Sequence, residues 1–173
     1  ILVTGCSKGI GFEIVKSFAK NNEVNVIAIA RNKLGLLKLE QECQLVNKHF
    51  NLKLLDLDLS NHDSIDSIID SVKVNFNSIL DGIIHNAGLL INKPFIDITT
   101  VDLENSFSVN CFSPFILTQK LFPFFSNSAH IVSISSMGGI QGSKKFPGLS
   151  AYSTSKSTLI TFTQCLAEEF KMT

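Results

Sequence analysis

Short apolar runs alternate along this chain with longer stretches of helical periodicity, and no other sequence feature constrains the fold as strongly. Five runs rich in Val, Ile or Leu end at turn residues, and the stretches between them carry apolar side chains every three or four positions. Strands that are connected through helices form parallel sheets with helices on both faces. We therefore predict an α/β fold with a doubly wound parallel sheet, whose strands lie at residues 1–3, 24–30, 52–57, 80–85 and 131–134.

The length of the chain sets the number of domains. At 173 residues it is long enough for one domain with a substantial core, so we treat residues 1–173 as a single domain. Two long helices are predicted in its second half, at about 102–121 and from about 150 onward. The sequence begins inside an apolar run and stops inside the last helical pattern without a capping glycine, so we expect truncation at both ends.

Composition excludes several classes of partner. Fifteen basic and fifteen acidic residues give a formal net charge of zero, so neither nucleic acid nor an anionic membrane is an expected partner. The four cysteines are far apart and form no CxxC pair, which argues against a metal site or a disulfide framework. The sequence shows no apolar run long enough for a membrane span and no charged leader. We expect a cytoplasmic protein that acts on a small molecule.

The turn after the first predicted strand reads TGCSKGIG and contains three glycines. Glycines let the backbone approach a ligand closely, and a helix that begins at such a turn presents free amides to an anion. Its spacing is GxxxGxG rather than the GxGxxG of the usual dinucleotide fingerprint, and the same residues could form only a tight turn. Between a strand and an amphipathic helix, we interpret it as a pyrophosphate site. The candidate residues are Thr4, Gly5, Ser7, Lys8, Gly9, Ile10 and Gly11.

The end of the second predicted strand indicates which dinucleotide is bound. NAD-selective sites place a carboxylate there for the adenosine ribose, whereas an arginine accommodates a 2′-phosphate. Here Ala30 stands where the carboxylate is expected and Arg31 follows it, while Lys8 adds a second cation. The sequence therefore favours NADP(H) over NAD(H). The alternative is that Arg31 is a solvated residue at the start of a loop.

The only tyrosine of the chain lies four residues before a lysine, in the segment YSTSK within the last predicted helix. At this spacing Tyr152 and Lys156 project from the same helical face. A positive charge so close stabilises the phenolate, which makes the phenol more effective in proton transfer. We hypothesise that Tyr152 is a general acid–base residue, although a YxxxK pair taken alone is more often a chance pair on a solvated helix.

Four motifs in order, TGCSKGIG, HNAG, SISS and YSTSK, resemble those of the short-chain dehydrogenase/reductase family over essentially the whole chain. The resemblance implies a Rossmann-like domain and an oxidoreductase that transfers a hydride between a nicotinamide cofactor and a carbonyl or alcohol substrate. It also implies a homo-oligomer, either a dimer or a tetramer.

The resemblance also implies roles for individual residues. Tyr152 is the expected acid–base residue, Lys156 its partner and a contact of the nicotinamide ribose, and Ser136 the anchor of the substrate carbonyl. Asn110 is expected to hold a water in a proton relay, although an asparagine in a helix can simply bond to backbone. The implied adenosine contacts are Asp58, Leu59, Asn86, Ala87 and Gly88.

Three departures from the family pattern affect these expectations. His85 stands where the family most often has asparagine. We expect all four histidines to have structural roles or to lie at the surface, and the others are His49, His62 and His130. The loop between Ser136 and Tyr152 is long, so their relative position depends on how it folds. The family also continues beyond the helix that carries the tyrosine, with segments that shape the substrate pocket.

Two other functions remain open at this point. One is a dehydrogenase that prefers NAD and runs in the oxidative direction. The other is a non-catalytic NADP(H)-binding sensor or scaffold, which would have no need of an activated phenol. The residues Asn110, Ser136, Tyr152 and Lys156 together favour the NADPH-dependent carbonyl reductase.

Overall fold

The computed structural model describes residues 1–21 and 23–171 and, for His62, only the backbone. Five parallel strands form one sheet in the order β3-β2-β1-β4-β5, as the alternation of strands and helices predicts. Met172 and Thr173, at the end of the predicted last helix, lie outside the described residues. The strands are β1 Leu2–Thr4, β2 Val26–Ala30, β3 Leu52–Asp56, β4 Leu80–His85 and β5 Phe125–Ser133.

Helices connect the strands and cover both faces of the sheet. α5 packs against α3, and α6 packs against α4 and β5. None of the described helices is both long and apolar enough to cross a membrane. The helices are α1 Gly9–Phe18, α2 Lys33–Val46, α3 Ile65–Asn75, α4 Thr100–Phe107, α5 Ser113–Leu121 and α6 Ser150–Glu169.

The core consists of two apolar layers, one on each face of the sheet. Side chains along a strand point alternately to opposite faces. Leu2 and Ile27 therefore join the layer under α3 and α5, whereas Val3 and Ala28 join the layer under α1 and α2. Because both faces are buried, β1 and β2 are apolar at almost every position rather than alternating with polar residues.

The last strand begins earlier than its apolar run predicts. β5 starts at Phe125, which pairs with Leu80, and the regular register resumes only where His130 pairs with Gly82. Three of the four residues between are polar, and the register shifts across them, so they carry no apolar signal of a strand. Residues 131–133 of the strand predicted at 131–134 thus belong to the regular part of a longer strand, and Ile134 lies just beyond its end.

The long helix predicted at about 102–121 is present but interrupted. It begins at Thr100, where the Thr99 side chain and Asp102 form a capping box. Between α4 and α5 the turn Ser108–Phe112 is a π-helix. In an α-helix the carbonyl of Asn110 would accept a hydrogen bond from residue 114, which is a proline and has no N–H. The wider π turn accommodates the proline, which cannot donate the α-helical hydrogen bond.

The connections place the candidate site. β2 and β3 lie on one side of β1, and β4 and β5 lie on the other. The order therefore reverses between β1 and β4, and ligands of open α/β sheets bind beyond the carboxyl ends of the strands at such a switch point. The glycine turn follows β1 and the HNAG segment follows β4, so both lie there.

Candidate active site

The glycine turn and the segment after β4 are packed backbone against backbone. Gly5 has a positive φ of 74°, and a β-carbon there would come within 2.7 Å of the Ala87 Cα. Only glycine fits both the conformation and the space. Asn86 Nδ2 donates hydrogen bonds of 3.0 Å to the carbonyls of Thr4 and Gly5. The two segments therefore form one rigid floor at the switch point.

Thr4 contributes to this floor from below. Its Oγ1 accepts hydrogen bonds of 3.0 Å from the amides of Asn86 and Ala87, and its side chain is buried. A cleft of about 900 Å³ opens above, lined by most of the residues predicted to bind the cofactor. Thr4 and Gly11 are buried beneath it and do not line it. The predicted residues in its wall are Gly5, Ser7, Lys8, Gly9, Ile10, Arg31, Asp58, Leu59, Asn86, Ala87 and Gly88.

The helix that leaves the glycine turn is suited to an anion. The residue before α1 is Lys8, whose side chain makes no capping hydrogen bond, and the first turn of α1 contains no acidic residue. The first amides of a helix lack intrahelical partners and carry the positive end of its dipole. These amides face a cleft that Lys8 also lines, so the turn fits a pyrophosphate group.

Charged side chains line the far end of the cleft. Arg31 follows β2, and its guanidinium lies 3.6 Å from the carboxylate of Asp58, which follows β3. Partial burial would raise the pKa of Asp58, but the hydrogen bonds from Ser60 and the charge of Arg31 outweigh it and hold that pKa below its usual range. Lys33, which sequence reasoning missed, adds a further positive charge to the wall.

Asn110 sits in the π turn with its side chain fully buried. Its Oδ1 accepts a hydrogen bond of 2.7 Å from the Leu89 amide, and its Nδ2 donates to the Leu89 carbonyl at 2.9 Å and to Ser155 Oγ at 2.8 Å. Ser155 in turn donates to the carbonyl of Tyr152 at 2.8 Å. The amide side chain thus links the segment after β4 to the helix that carries the tyrosine.

Lys156 reaches from α6 to the edge of the cleft. Its side chain is buried, and its Nζ donates a hydrogen bond of 2.9 Å to the carbonyl of Ile134. A β-carbon placed on Gly88, which lines the cleft, would lie 3.3 Å from that Nζ and 3.5 Å from Asn110 Oδ1. Removal from water lowers the pKa of Lys156. Lys156 and Asn110 therefore both lie next to Gly88, at the edge of the cleft.

Ser136 lies where β5 gives way to the loop before α6. It caps the short 3₁₀ turn Met137–Gly139, and its Oγ accepts a hydrogen bond of 3.3 Å from the Gly138 amide. The preceding Ser135 donates to the carbonyl of Lys156 at 2.8 Å. Tyr152 is half-buried on the first turn of α6. None of Asn110, Ser136, Tyr152 and Lys156 lines the 900 Å³ cleft itself.

The contacts of Ser135 and Ser155 were missed by sequence reasoning. Both are small polar residues inside the motifs SISS and YSTSK, and those motifs are the only signal that could have singled them out. Each binds a backbone carbonyl of α6, and together they set how the helix sits against β5 and the π turn.

The histidines take structural or surface positions where the structure describes them. His85 is buried, and its Nε2 lies 2.8 Å from Thr118 Oγ1. Burial, with a smaller contribution from the charge of Lys156, lowers the pKa of His85 to about 3. His49 and His130 are exposed, and the side chain of His62 lies outside the described residues. In the described part of the chain, no cluster of three His, Cys, Asp or Glu side chains could hold a metal ion.

Comparison with known proteins identifies relatives over the full length of this chain. The family described as short chain dehydrogenase matches residues 1–173. L-xylulose reductase from Caenorhabditis elegans is 32% identical over 172 residues, which are 98% of this chain and 64% of that protein. An NADP-dependent 3-hydroxy acid dehydrogenase from Schizosaccharomyces pombe is 32% identical over 173 residues, with 98% and 64% covered. The chain thus spans less than two thirds of either relative.

Solved structures agree with this result. A short chain dehydrogenase from Shigella flexneri, complexed with NADP, superposes with a TM-score of 0.88 at 30% identity and covers 98% of this chain and 71% of that one. A metagenomic short-chain oxidoreductase in complex with NADP gives a TM-score of 0.88 at 25% identity, with 98% and 75% covered. Because one family matches from the first residue to the last and the folds superpose, this chain belongs to the short chain dehydrogenase family.

Proposed function

We propose that this chain is the cofactor-binding and catalytic part of an NADPH-dependent oxidoreductase that interconverts a carbonyl and an alcohol. The observation that supports this proposal most strongly is the meeting of Lys156, Asn110 and Gly88 at the edge of the nucleotide cleft. A buried lysine one turn from the only tyrosine, beside the cleft that the glycine turn lines, is suited to support proton transfer by that tyrosine. The relatives named as reductases or as complexes with NADP support the same assignment.

The cleft would hold NADP(H) through three groups of residues. The amides of the glycine turn and Lys8 would bind the pyrophosphate, and Arg31 would bind the 2′-phosphate. Asp58 and the segment Asn86 to Gly88 would contact the adenosine. When bound, the cofactor supplies the hydride, and the protein supplies position and charge.

Three side chains would perform the proton chemistry. Tyr152 would protonate the substrate oxygen in the reductive direction, and the ammonium of Lys156 would stabilise the phenolate that remains. Ser136 would donate a hydrogen bond to the same oxygen as negative charge develops there. Its Oγ already accepts from the Gly138 amide, which leaves the hydroxyl proton for the substrate.

Asn110 would act through its backbone. Its side chain is hydrogen-bonded to Leu89 and Ser155. Its backbone carbonyl has no α-helical donor, because residue 114 is a proline without an N–H. We assign the relay water to this carbonyl rather than to the side chain. Proton replacement from solvent to Tyr152 would then run through that water and Lys156.

We further propose that the protein is a homo-oligomer, a dimer or tetramer, built on the face that α5 and α6 share. Phe112, Phe115 and Phe122 are each between 43% and 52% exposed on this face. Phe115 stacks near Phe162 with ring centroids 5.0 Å apart, which joins the two helices into one apolar surface. A second copy of the same surface would bury these rings.

The test of the catalytic proposal uses full-length protein with NADPH and a panel of ketones, aldehydes and ketoacyl thioesters. The loss of nicotinamide absorbance reports turnover, and calorimetry reports NADPH binding. We expect Tyr152→Phe to reduce kcat by about 10²- to 10⁴-fold while NADPH binds as before. Thr154→Ala, at an exposed position of the same helix, is the matched control. Normal turnover by Tyr152→Phe would remove the tyrosine from this role, and binding without any turnover in the wild type would favour the sensor or scaffold.

A further inference from the structure

The loop between Ser136 and Tyr152 is held together by two side chains to which no role has yet been assigned. Lys145 Nζ donates hydrogen bonds of 2.7 Å to the carbonyls of Gly138 and Ile140 and one of 3.0 Å to Ser143 Oγ. An ammonium has three protons, so all its donors are used inside the loop. We call Ser143 and Lys145 together the loop latch.

Ser143 holds the other end of the same turn. Its Oγ donates its one proton to the carbonyl oxygen of Met137, which lies 2.5 Å away, and the carbonyl oxygen of Ile140 lies 2.8 Å from the same Oγ. The hydroxyl therefore holds the carbonyl of Met137 in the 3₁₀ turn, while Lys145 donates to the oxygen of that hydroxyl. The latch closes the loop onto the turn that Ser136 caps.

The geometry of one peptide group connects the latch to Ser136. The carbonyl of Met137 and the amide of Gly138 belong to the same peptide, which is planar. When Ser143 fixes the direction of that carbonyl, it also fixes the direction of the amide, and this amide donates to Ser136 Oγ. Lys145 holds the next carbonyl, that of Gly138. Gly138, whose amide donates to the Ser136 hydroxyl, is thus held through the carbonyl before it by Ser143 and through its own carbonyl by Lys145.

The opposite side of the turn rests on α6. A β-carbon on Gly139 would lie 2.9 Å from the backbone carbon of Lys156, so the turn and the helix touch through their backbones. Ser135 adds a hydrogen bond to the carbonyl of the same lysine. The helix sets where the turn lies, and the latch sets how its peptides are oriented.

We propose that Ser143 and Lys145 are positioning residues, which orient the hydroxyl of Ser136 toward the substrate oxygen through the Met137–Gly138 peptide. This inference rests on the proposed function of Ser136. Both latch residues lie on the surface loop, Lys145 exposed and Ser143 partly so, and neither lines the nucleotide cleft. Their loss should therefore change turnover rather than cofactor binding or folding.

The first experiment measures the turn directly by hydrogen exchange of residues 137–143 in the full-length protein. Ser143→Ala and Lys145→Met should raise the exchange rates of these amides by about tenfold or more, because the turn opens more often. Two variants are controls. Ser143→Thr keeps the hydroxyl, and Lys144→Met removes a neighbouring lysine whose Nζ lies over the Phe146 ring and not at the carbonyls that Lys145 binds. Unchanged exchange in both latch variants would overturn the proposal.

The second experiment measures turnover in the same proteins. Each latch variant should lower kcat by about tenfold, a part of what removal of an oxyanion-stabilising donor costs, while KM for NADPH and the unfolding midpoint stay as in the wild type. Ser143→Thr should restore most of the rate. In a Ser136→Ala background the latch substitutions should cost nothing further, because they act through that hydroxyl.

The two proposals fail in different ways. Latch losses that multiply with the loss from Ser136→Ala would overturn the positioning role while leaving the enzyme assignment intact. Absence of carbonyl turnover in the wild type would overturn the proposed function and with it the positioning role, whereas the exchange rates would still decide whether the latch orders the turn.

Discussion

Arg31 is the residue on which the proposed preference for NADP(H) depends. Its guanidinium lies 3.6 Å from Asp58, and both side chains are substantially exposed. An exposed ion pair of this kind contributes at most about 1 kcal/mol to folding, so the stability of the fold depends little on Arg31. A charge that folding does not need is available to a ligand phosphate.

Replacement of Arg31 should therefore alter nucleotide discrimination. We expect Arg31→Ala to weaken NADPH binding by about tenfold or more, the equivalent of about 1.4 kcal/mol, because the 2′-phosphate loses its fixed cation. NADH binding should change by less than about twofold, since NADH has no such group. Calorimetric titration of both nucleotides checks this, with Lys38→Ala on the outer part of α2 as control. Equal losses for both nucleotides would contradict the assignment.

His85 is a neutral imidazole in the core. Its pKa is about 3 in the folded chain and about 6.5 when unfolded, so the unfolded state binds the proton first as the pH falls. Its contribution to stability is complete above pH 6.5 and is lost progressively below it, by about 1.4 kcal/mol for each pH unit down to the folded pKa.

This titration predicts a specific acid sensitivity. Between pH 6.5 and about 4.5 the free energy of unfolding should fall by about 3 kcal/mol through His85 alone. His85→Asn keeps a polar group near Thr118 and should flatten this part of the profile, whatever its stability at neutral pH. Denaturant titrations at several pH values measure the slope. If exposed His49, replaced by Asn, flattened the profile instead, the buried imidazole would not be the source.

At the scale of elements, the π turn between α4 and α5 combines two functions. It directs the Asn110 side chain to Leu89 and Ser155, and it accommodates a proline that cannot donate to the Asn110 carbonyl. A π turn costs regular helical hydrogen bonds, and such turns are frequent at functional sites. The proposed relay depends on this local irregularity rather than on the side chain alone.

Restoring an N–H at this position tests the relay. Pro114→Ala supplies a donor that can close the α-helical bond to the Asn110 carbonyl. We expect kcat to fall by about tenfold, in the lower range for loss of a proton-transfer group, while NADPH binding is retained. Steady-state kinetics measure kcat, and calorimetry measures NADPH binding. Thr118 lies on the same helix as Pro114 but is unsuitable as a control, because it contacts His85. Glu104→Ala, exposed on α4, serves instead. A full rate for Pro114→Ala would place the water elsewhere.

At the level of the whole molecule, the face of α5 and α6 leaves several apolar rings uncovered. Phe112 and Phe115 remain about half exposed. Large exposed rings on one continuous face are typical of a surface that pairs with another protein.

Disruption of this face should change the assembly without unfolding the subunit. Phe115→Glu places a charge among the rings, and we expect it to convert the oligomer to monomers at micromolar concentration. Sedimentation velocity measures the mass, and circular dichroism confirms the fold. Phe146→Glu, at a ring that is also exposed but lies on the loop before α6, should leave the mass unchanged. A wild-type protein that is already monomeric would contradict the proposed oligomer.

The order of strands and helices, the doubly wound class and the motifs of the site can be read directly from the sequence. The predicted strand at 80–85 coincides with β4, and YSTSK lies on α6 as expected. These features are local, because a periodicity of apolar residues and a spacing of four positions are properties of neighbouring residues along one element.

Which polar groups come into contact depends on how the elements pack in three dimensions. Three contacts depend on how distant segments approach one another or on the conformation of a loop. Thr4 binds the segment after β4, Lys156 reaches Gly88, and Ser143 and Lys145 bind the turn after Ser136. Likewise, the early start of β5 at Phe125 follows from pairing with β4 and has no apolar signal of its own. Such contacts are set by how packed layers place their loops, and periodicity along the chain carries no information about that.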